Sequence, residues 1–359
     1  MNLGAAIAFL DRKERITLII ATLGTILTAI LQGVGADHTL VFIVAAISMA
    51  ALASVVGDGT DQLGHRFGPN ATGVLQSALG NLPELFISIF ALRAGLVTVV
   101  QAALVGSILG NSLLVLGAAF LVGGLRHGVQ TFGKSEVRRI AVLIMLAIAA
   151  LAIPTLATQP GQPDVGHAGD LSVICAVVLL VVFAASIPFS LGGGGGASAE
   201  QPPREKLWPM PMAIGVLAVS GVAAAIVSDW FVEALRPTMT TFHLSETFTG
   251  LVIVAIAGNA VENVVGIQLA ARNQMDFAIS VILNSSLQVA LALTPVLVIL
   301  SLFIGATQLT LVLPVLLVAS LFLAATLGAL IVYDGESTWL EGLALIGLYV
   351  IIAASFLWG

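Results

Sequence analysis

The chain has 359 residues, of which 58% are hydrophobic and only 9% are charged, and its mean hydropathy is +1.09. A soluble domain carries about 25% charged residues, so this composition excludes a soluble globular protein. The net charge of −6 says little about partners, because the charged residues are few and scattered, and nothing in the sequence resembles a nucleic-acid-binding surface. The single cysteine, Cys175, excludes an internal disulfide.

Long apolar runs follow one another along the whole chain, and runs of about 20 residues predict membrane-spanning helices. The first run is longer than the core of a signal peptide and no small-residue cleavage site follows it, so we interpret it as a retained span. In total we predict eleven spans, at residues 16–34, 40–63, 70–92, 96–123, 137–157, 170–191, 209–235, 244–271, 275–303, 307–332 and 338–358.

The longest connection between spans divides the chain into two halves. It covers residues 192–206, begins with five glycines and contains Pro202 and Pro203, which predicts a flexible cytoplasmic linker. We therefore predict an N-terminal helix (1–38), a first five-helix repeat (39–191), the linker (192–207) and a second five-helix repeat (208–359). An odd number of spans per repeat means that the second repeat enters the membrane inverted, an arrangement typical of secondary transporters.

The basic residues indicate the orientation of these spans. If the N-terminus is cytoplasmic, eleven of the thirteen Lys and Arg residues fall on the inner side, and only Arg93 and Arg236 fall outside. This bias agrees with the positive-inside rule. We predict an integral protein of a prokaryotic cell (inner) membrane with a cytoplasmic N-terminus.

A short polar motif occurs twice inside the apolar runs. Gly80-Asn81-Leu82-Pro83-Glu84 recurs as Gly258-Asn259-Ala260-Val261-Glu262, with an offset of 178 residues. A charged side chain at the centre of a bilayer costs roughly 3 kcal/mol, so such residues mark functional sites. The i, i+3 spacing places Asn and Glu on one face of a helix, and the glycines and Pro83 predict breaks in the helices.

Two carboxylates, two carboxamide oxygens and backbone carbonyls form an all-oxygen set of ligands, which suits a hard cation such as Ca²⁺. The alternative is that each Asn and Glu only bonds a neighbouring helix. The matched occurrence in both halves favours the cation site, especially since the same offset relates Ser107 to Ser285.

Further polar side chains accompany the motif on the next span of each half. Ser107 and Asn111 share a helix face, as do Asn284 and Gln288, and these groups either complete a cation site or bond neighbouring helices. The full set is Gln101, Ser107, Asn111 and Ser112 in the first half, and Asn284, Ser285, Ser286 and Gln288 in the second.

Acidic residues are also expected where the first helix of each half ends. We predict that Asp58 and Asp61 close one span on the inner side, and that Asp229 and Glu233 close another on the outer side. Acidic rims at both mouths raise the local concentration of cations. The alternative is that these residues are solvated helix ends.

Together, these motifs resemble the cation/proton exchanger branch of the calcium/cation antiporter superfamily, whose repeat signature is Gly-Asn-x-x-Glu. The resemblance runs from about Val56 to the C-terminus and is carried by residues 80–93, 99–117 (VVQAALVGSILGNSLLVLG), 258–300 and 334–342 (DGESTWLEG). It implies exchange of Ca²⁺ for H⁺, with Glu84 and Glu262 as central carboxylates and Asn81 and Asn259 beside them. By position, it also implies roles for Gly80, Gly258, Gln101, Ser107, Asn111, Ser285 and Gln288.

The sequence departs from the pattern of this branch at three places. Leu82-Pro83 replaces the commoner small or β-branched pair, and Asn263 stands where many members carry His. The long acidic loop of some members is missing, because the linker offers only Glu200 and Glu205. Because Asn263 replaces the His of those members, a contribution of His to proton handling at this position is not expected.

We predict an all-α antiporter whose partners are the transported Ca²⁺ and H⁺ and the membrane lipid, with no cofactor and with a homo-oligomer left open. A Na⁺-coupled exchanger of the same superfamily is the nearest alternative, although that branch usually carries Gly-Thr-Ser where this chain has Gly-Asn. A cation channel is a second alternative, disfavoured by inverted repeats. An intramembrane enzyme is not expected, because the sequence contains no HExxH, Gly-x-Gly-Asp or Gly-x-Ser-x-Gly motif and no Cys-His constellation.

Overall fold

A computed structural model describes residues 10–67, 79–162, 164–191, 207–304 and 307–358. The predicted linker at residues 192–206 lies outside these described residues, and so does the first part of the predicted third span, residues 70–78. The division of the chain into repeats at this linker stays a prediction.

Helices make up nearly all of the described chain, which confirms the all-α fold. Three of the membrane helices contain π-helical segments, here named π1 to π3, and a two-stranded antiparallel sheet pairs Gln130 with Ser337 and Thr131 with Glu336. The elements are α1 (Arg12–Gly33), α2 (His38–Phe67), α3 (Leu82–Arg93), α4 (Val97–Leu109), π1 (Gly110–Val115), α5 (Leu116–His127), β1 (Gln130–Thr131), α6 (Lys134–Ala157), α7 (Ala168–Leu191), α8 (Met210–Phe242), α9 (Glu246–Phe248), π2 (Thr249–Val254), α10 (Ala255–Gly258), α11 (Ala260–Ala270), α12 (Met275–Gln288), π3 (Val289–Leu293), α13 (Thr294–Ile304), α14 (Val315–Ile331), β2 (Glu336–Ser337) and α15 (Trp339–Ser355).

Among the described residues, seven helices are long and apolar enough to cross a membrane, and the bent pair at residues 246–270 makes an eighth. Two further apolar helices, α14 and α15, have 17 residues each. The chain is thus a polytopic membrane protein, as predicted, while the number of eleven spans stays a prediction.

The described residues form two compact units, each built from both halves of the sequence. Unit 1 comprises Met1–Phe90, Ala197–His243 and Ala257–Val261, and in it α2 packs along α8. The rings of Phe42 and Phe231 stack with their centroids 4.7 Å apart. Helix α2 also contacts α1, where the hydroxyl oxygens of Ser48 and Thr28 lie 3.2 Å apart. Such polar contacts are common between closely packed membrane helices.

Trp208, just after the predicted linker, is bound to both α1 and α2 within unit 1. Its indole N–H donates to Glu14 at 3.3 Å, and its backbone N–H donates to the Gln62 side chain at 2.9 Å. The guanidinium of Arg66 donates to the Trp208 carbonyl. The indole is only 2% exposed and packs against Leu63. The start of the second half is therefore fixed on the first two helices of the chain.

Unit 2 comprises Ala91–Gly196, Leu244–Ile256 and Glu262–Gly359, and its helices α4 and π2 cross with their backbones in contact. Gly106 lies against the backbone of Leu251, and Gly250 lies against the carbonyl of Val99. Neither position has room for a Cβ atom. The two glycines therefore set the close approach of these segments.

Gly106→Ala is expected to lower the free energy of unfolding of the purified protein by about 1–3 kcal/mol, because the added methyl forces two packed backbones apart. Gly110→Ala is the matched control four residues on, since nothing lies within 4 Å of a Cβ at Gly110. Thermal unfolding in detergent measures both variants. Equal stability of Gly106→Ala and the wild type would contradict the close crossing.

The predicted tenth span is wrong at its beginning. Residues 307–314 are not helical, and α14 begins only at Val315. We call this segment the strap. Side chains of unit 2 pair several of its backbone groups, and non-helical backbone in a membrane protein needs such partners. Gln101 donates to the carbonyls of Thr310 (2.8 Å) and Val312 (3.2 Å), and Thr155 donates to that of Leu311 (3.1 Å). The amides of Leu309, Leu311 and Leu313 donate to Ser301, Ser172 and Thr155, each at 2.9 Å.

Candidate functional site

The second copy of the motif lies at a break in its helix, as predicted. Helix α10 ends at Gly258, α11 begins at Ala260, and the two helical segments are bent by 65°. Asn259 lies between them and is only 3% exposed. A helix that begins inside the apolar region directs its positive end into the protein, where it stabilises negative charge.

The first copy begins a helix in the same way. Gly80 and Asn81 form a turn, and α3 begins at Leu82. Pro83 is tolerated because it lies in the first turn, where its missing N–H has no helical acceptor. Glu84 is the third residue of α3, as Glu262 is the third residue of α11. Both carboxylates therefore occupy the same position in the first turn of a helix.

Unit 1 brings residues of the two copies into contact. The Asn259 amide donates to Glu84 Oε1 at 3.3 Å, and both side chains are 3% exposed. Gly258 lies beside the stem of Glu84, with 3.4 Å between an ideal Cβ at Gly258 and Glu84 Cγ. Three of the predicted site residues, Glu84, Gly258 and Asn259, thus form one cluster, in which the side chains of Glu84 and Asn259 are buried.

Glu262 and Asn263 carry buried acceptor atoms in unit 2. Glu262 Oε2 and Asn263 Oδ1 are buried, and neither has a hydrogen-bond partner among the residues that the structure describes. Burying a carboxylate oxygen without a donor is unfavourable unless a proton or a cation compensates it. These atoms therefore suit a ligand that carries positive charge. Asn263 is not among the site residues predicted from the sequence.

Asn111 and Ser285 lie together in unit 2. The Asn111 amide donates to the Ser285 hydroxyl at 2.9 Å, and the hydroxyls of Ser112 and Ser286 lie 3.2 Å apart. All four side chains are buried. Two predicted ligands, one from each half, thus meet in one polar layer at π1.

Other predicted site residues lie elsewhere or bond locally. The Gln101 amide donates to carbonyls of the strap, and the Ser107 hydroxyl donates to the Ala103 carbonyl of its own helix at 3.0 Å. Asn284 donates to Ser280 at 3.2 Å on its own helix. Gln288 is the last residue of α12, directly before π3, and is partly buried.

The predicted helix ends at the acidic residues are wrong. Helix α2 continues to Phe67, beyond Asp58 and Asp61, and α8 continues to Phe242, beyond Asp229 and Glu233. The predicted ends came too early because a charged residue ends an apolar run, whereas the backbone hydrogen bonds of a helix can continue past it. Asp229 and Glu233 are exposed, and Glu233 accepts a hydrogen bond from Gln32 at 2.7 Å.

The family described as "Sodium/calcium exchanger protein" matches residues 38–192 and 212–358. A relative from Synechocystis sp. named "Ca(2+)/H(+) antiporter" is 35% identical over 343 residues, which cover 90% of this chain and 92% of the relative. "Ca(2+)/H(+) antiporter ChaA" of Bacillus subtilis is 34% identical over 352 residues, which cover 96% and 99% of the two chains.

Two solved structures have a similar fold. Native YfkE matches with a TM-score of 0.82 and 32% identity, over 95% of this chain and 99% of that chain. The H⁺/Ca²⁺ exchanger CAX matches with a TM-score of 0.78 over 96% of this chain and 92% of that chain. At 15% identity, the second match supports the fold alone.

Proposed function

Since the chain belongs to the sodium/calcium exchanger family, and to its cation/proton exchanger branch, we propose that it is a membrane antiporter that exchanges Ca²⁺ for H⁺. Two of its relatives, named as Ca²⁺/H⁺ antiporters, match about nine tenths or more of this chain. The observation that supports this proposal most directly is the buried contact between Glu84 and Asn259, which joins the two copies of the motif.

Glu84 and Glu262 jointly bind the transported cation near the midplane, together with the Asn81 and Asn259 oxygens. Their ligand atoms are all oxygens, and the two carboxylates balance the charge of Ca²⁺. Both glutamates lie in the first turn of a helix, as expected for residues related by an internal repeat. Asn111 and Ser285 hold the neighbouring helices at a polar layer that contains one predicted ligand from each half.

Exchange follows from competition for the same carboxylates. With Ca²⁺ bound, the site is neutral; with Ca²⁺ released, protons neutralise it. The empty dianion is unfavourable in a site closed to water, so the protein changes its access from one side of the membrane to the other only when it is loaded. The ion site thus opens alternately to the two sides of the membrane, and the transport of each Ca²⁺ is coupled to protons moving in the opposite direction. The protein lies in a prokaryotic cell (inner) membrane, with its N-terminus on the cytoplasmic side.

The test is Ca²⁺ flux in proteoliposomes that contain the purified protein. An imposed pH gradient is expected to drive Ca²⁺ uptake, and an imposed Na⁺ gradient at equal pH on both sides is not. Ionophores that collapse the pH gradient supply the control. Uptake driven by Na⁺ alone would overturn the proton coupling and favour the Na⁺-coupled alternative.

Asn259→Ala is expected to weaken the apparent Ca²⁺ affinity about tenfold while leaving the unfolding temperature nearly unchanged, because it removes a ligand oxygen and a donor to Glu84. Asn259→Asp, which keeps an oxygen, is expected to retain more affinity. Asn81→Ala tests the other copy in the same way. Gln162→Ala removes an exposed carboxamide outside the helices and serves as the control. A loss of stability that accounts for the whole loss of affinity would show that Asn259 serves packing alone.

A further inference from the structure

Tyr349 has a buried hydroxyl for which the proposed mechanism has no use. It lies in α15, is 4% exposed and is one of two tyrosines in the chain. Its hydroxyl has no hydrogen-bond partner among the described residues. Buried tyrosine hydroxyls usually have a partner, and a hydroxyl buried without one is unfavourable. Phenylalanine would fill the same space without this penalty, so the hydroxyl indicates a function.

Glycines show which helix lies beside α15. Helices α5 and α15 run antiparallel within unit 2, with Trp339 beside Gly124 and Gly342 beside Gly117. An ideal Cβ at Gly117 would lie 2.7 Å from the Gly342 carbonyl oxygen and 3.0 Å from Leu345 Cβ. Helix α15 also packs against π1, which directly precedes α5 in the chain, and Tyr349 lies one turn beyond Leu345. Tyr349 therefore lies at the level of π1.

π1 carries the polar layer formed by Asn111 and Ser112 with Ser285 and Ser286. A π-helical turn shifts the backbone hydrogen bonds by one residue, and such turns occur often at functional sites. A buried water needs two to four polar partners, and the phenol, the Ser112 hydroxyl and the backbone carbonyls of π1 are polar groups of this kind in unit 2.

We propose that Tyr349 is a positioning residue for the ion pathway, which donates a hydrogen bond to π1 through a bridging water and so orients Ser112 and Asn111. This inference rests on the proposed function. The Tyr349 hydroxyl does not touch the ion. It holds the turn that carries Asn111, and through the Asn111–Ser285 contact it fixes how the two halves meet at this layer.

Tyr349→Phe removes only the hydroxyl and tests this role. It is expected to raise the KM for Ca²⁺ about fivefold, the effect of losing one hydrogen bond, with an unchanged unfolding temperature. Tyr333→Phe is the matched control, because Tyr333 is 71% exposed and lies outside the helices. Combining Tyr349→Phe with Ser112→Ala is expected to raise the KM by less than the product of the two single effects, since both act on one hydrogen-bonded unit.

Hydrogen–deuterium exchange of the π1 amides gives a readout that does not depend on transport. In Tyr349→Phe, residues 110–115 are expected to exchange faster, while the other helices are unchanged. An unchanged KM, independent effects of the two substitutions, or a lowered unfolding temperature with normal KM would overturn the inference. If the wild type does not exchange Ca²⁺ for protons, the proposed function fails, and unchanged exchange of the π1 amides then decides against Tyr349 separately.

Discussion

Glu84→Gln and Glu262→Gln are each expected to abolish Ca²⁺/H⁺ exchange, with a loss of ~100-fold or more. Removing one charge from a buried ionic contact costs about 3 kcal/mol, and about 1.4 kcal/mol corresponds to a factor of ten. Glutamine keeps the shape and one oxygen of the side chain. Each variant is therefore expected to insert and fold, and to lose the charge balance and the proton site together.

Glu336→Gln provides the matched control for this experiment, since Glu336 is an exposed glutamate in the short strand β2. Flux in proteoliposomes measures activity, and thermal unfolding measures folding. The two central variants are expected to be equally inactive. Near wild-type exchange by either one would mean that a single carboxylate suffices, which would disprove the shared role of the two repeats.

The apparent Ca²⁺ affinity is expected to fall as the pH is lowered, by up to about tenfold per pH unit for each proton displaced. Glu84 is 3% exposed and Glu262 Oε2 is buried, so each carboxylate lacks the hydration that stabilises its charge. Ca²⁺ supplies that compensation when it is bound, and protons supply it otherwise. Binding of Ca²⁺ must then release protons, and an excess of protons weakens Ca²⁺ binding.

High ionic strength separates this competition from surface effects. The exposed acids Asp229 and Glu233 attract cations through solvent, and salt screens this attraction. Ca²⁺ affinity measured between pH 5.5 and 8 at constant, high salt is expected to keep its slope. A flat profile under these conditions would exclude proton competition and favour the Na⁺-coupled alternative.

Features that depend on local sequence could be predicted. Apolar runs gave the helical membrane fold, and Gly258-Asn259 gave the break between α10 and α11, because glycine lowers the helix propensity of its own position. The matched spacing of Asn and Glu selected Glu84 and Asn259, which the structure places in contact. In each case the signal is a motif of a few consecutive residues.

Features that depend on distant residues could not be predicted. The strap contains the apolar residues Leu309, Leu311 and Leu313, so its composition fits a span, but its conformation depends on Gln101, Thr155 and Ser172. The three π segments have no distinct hydrophobic period. The close crossing at Gly106 requires Leu251, which is far away in sequence.

The strap also constrains the order in which the protein assembles in the bilayer. A helix satisfies its own backbone as it enters the membrane, whereas the backbone groups of residues 309–313 bond to side chains on α4, α6, α7 and α13 in the described part of the chain. Three of these helices belong to the first half of the chain. We therefore expect the strap to reach its final conformation only after these earlier helices have packed.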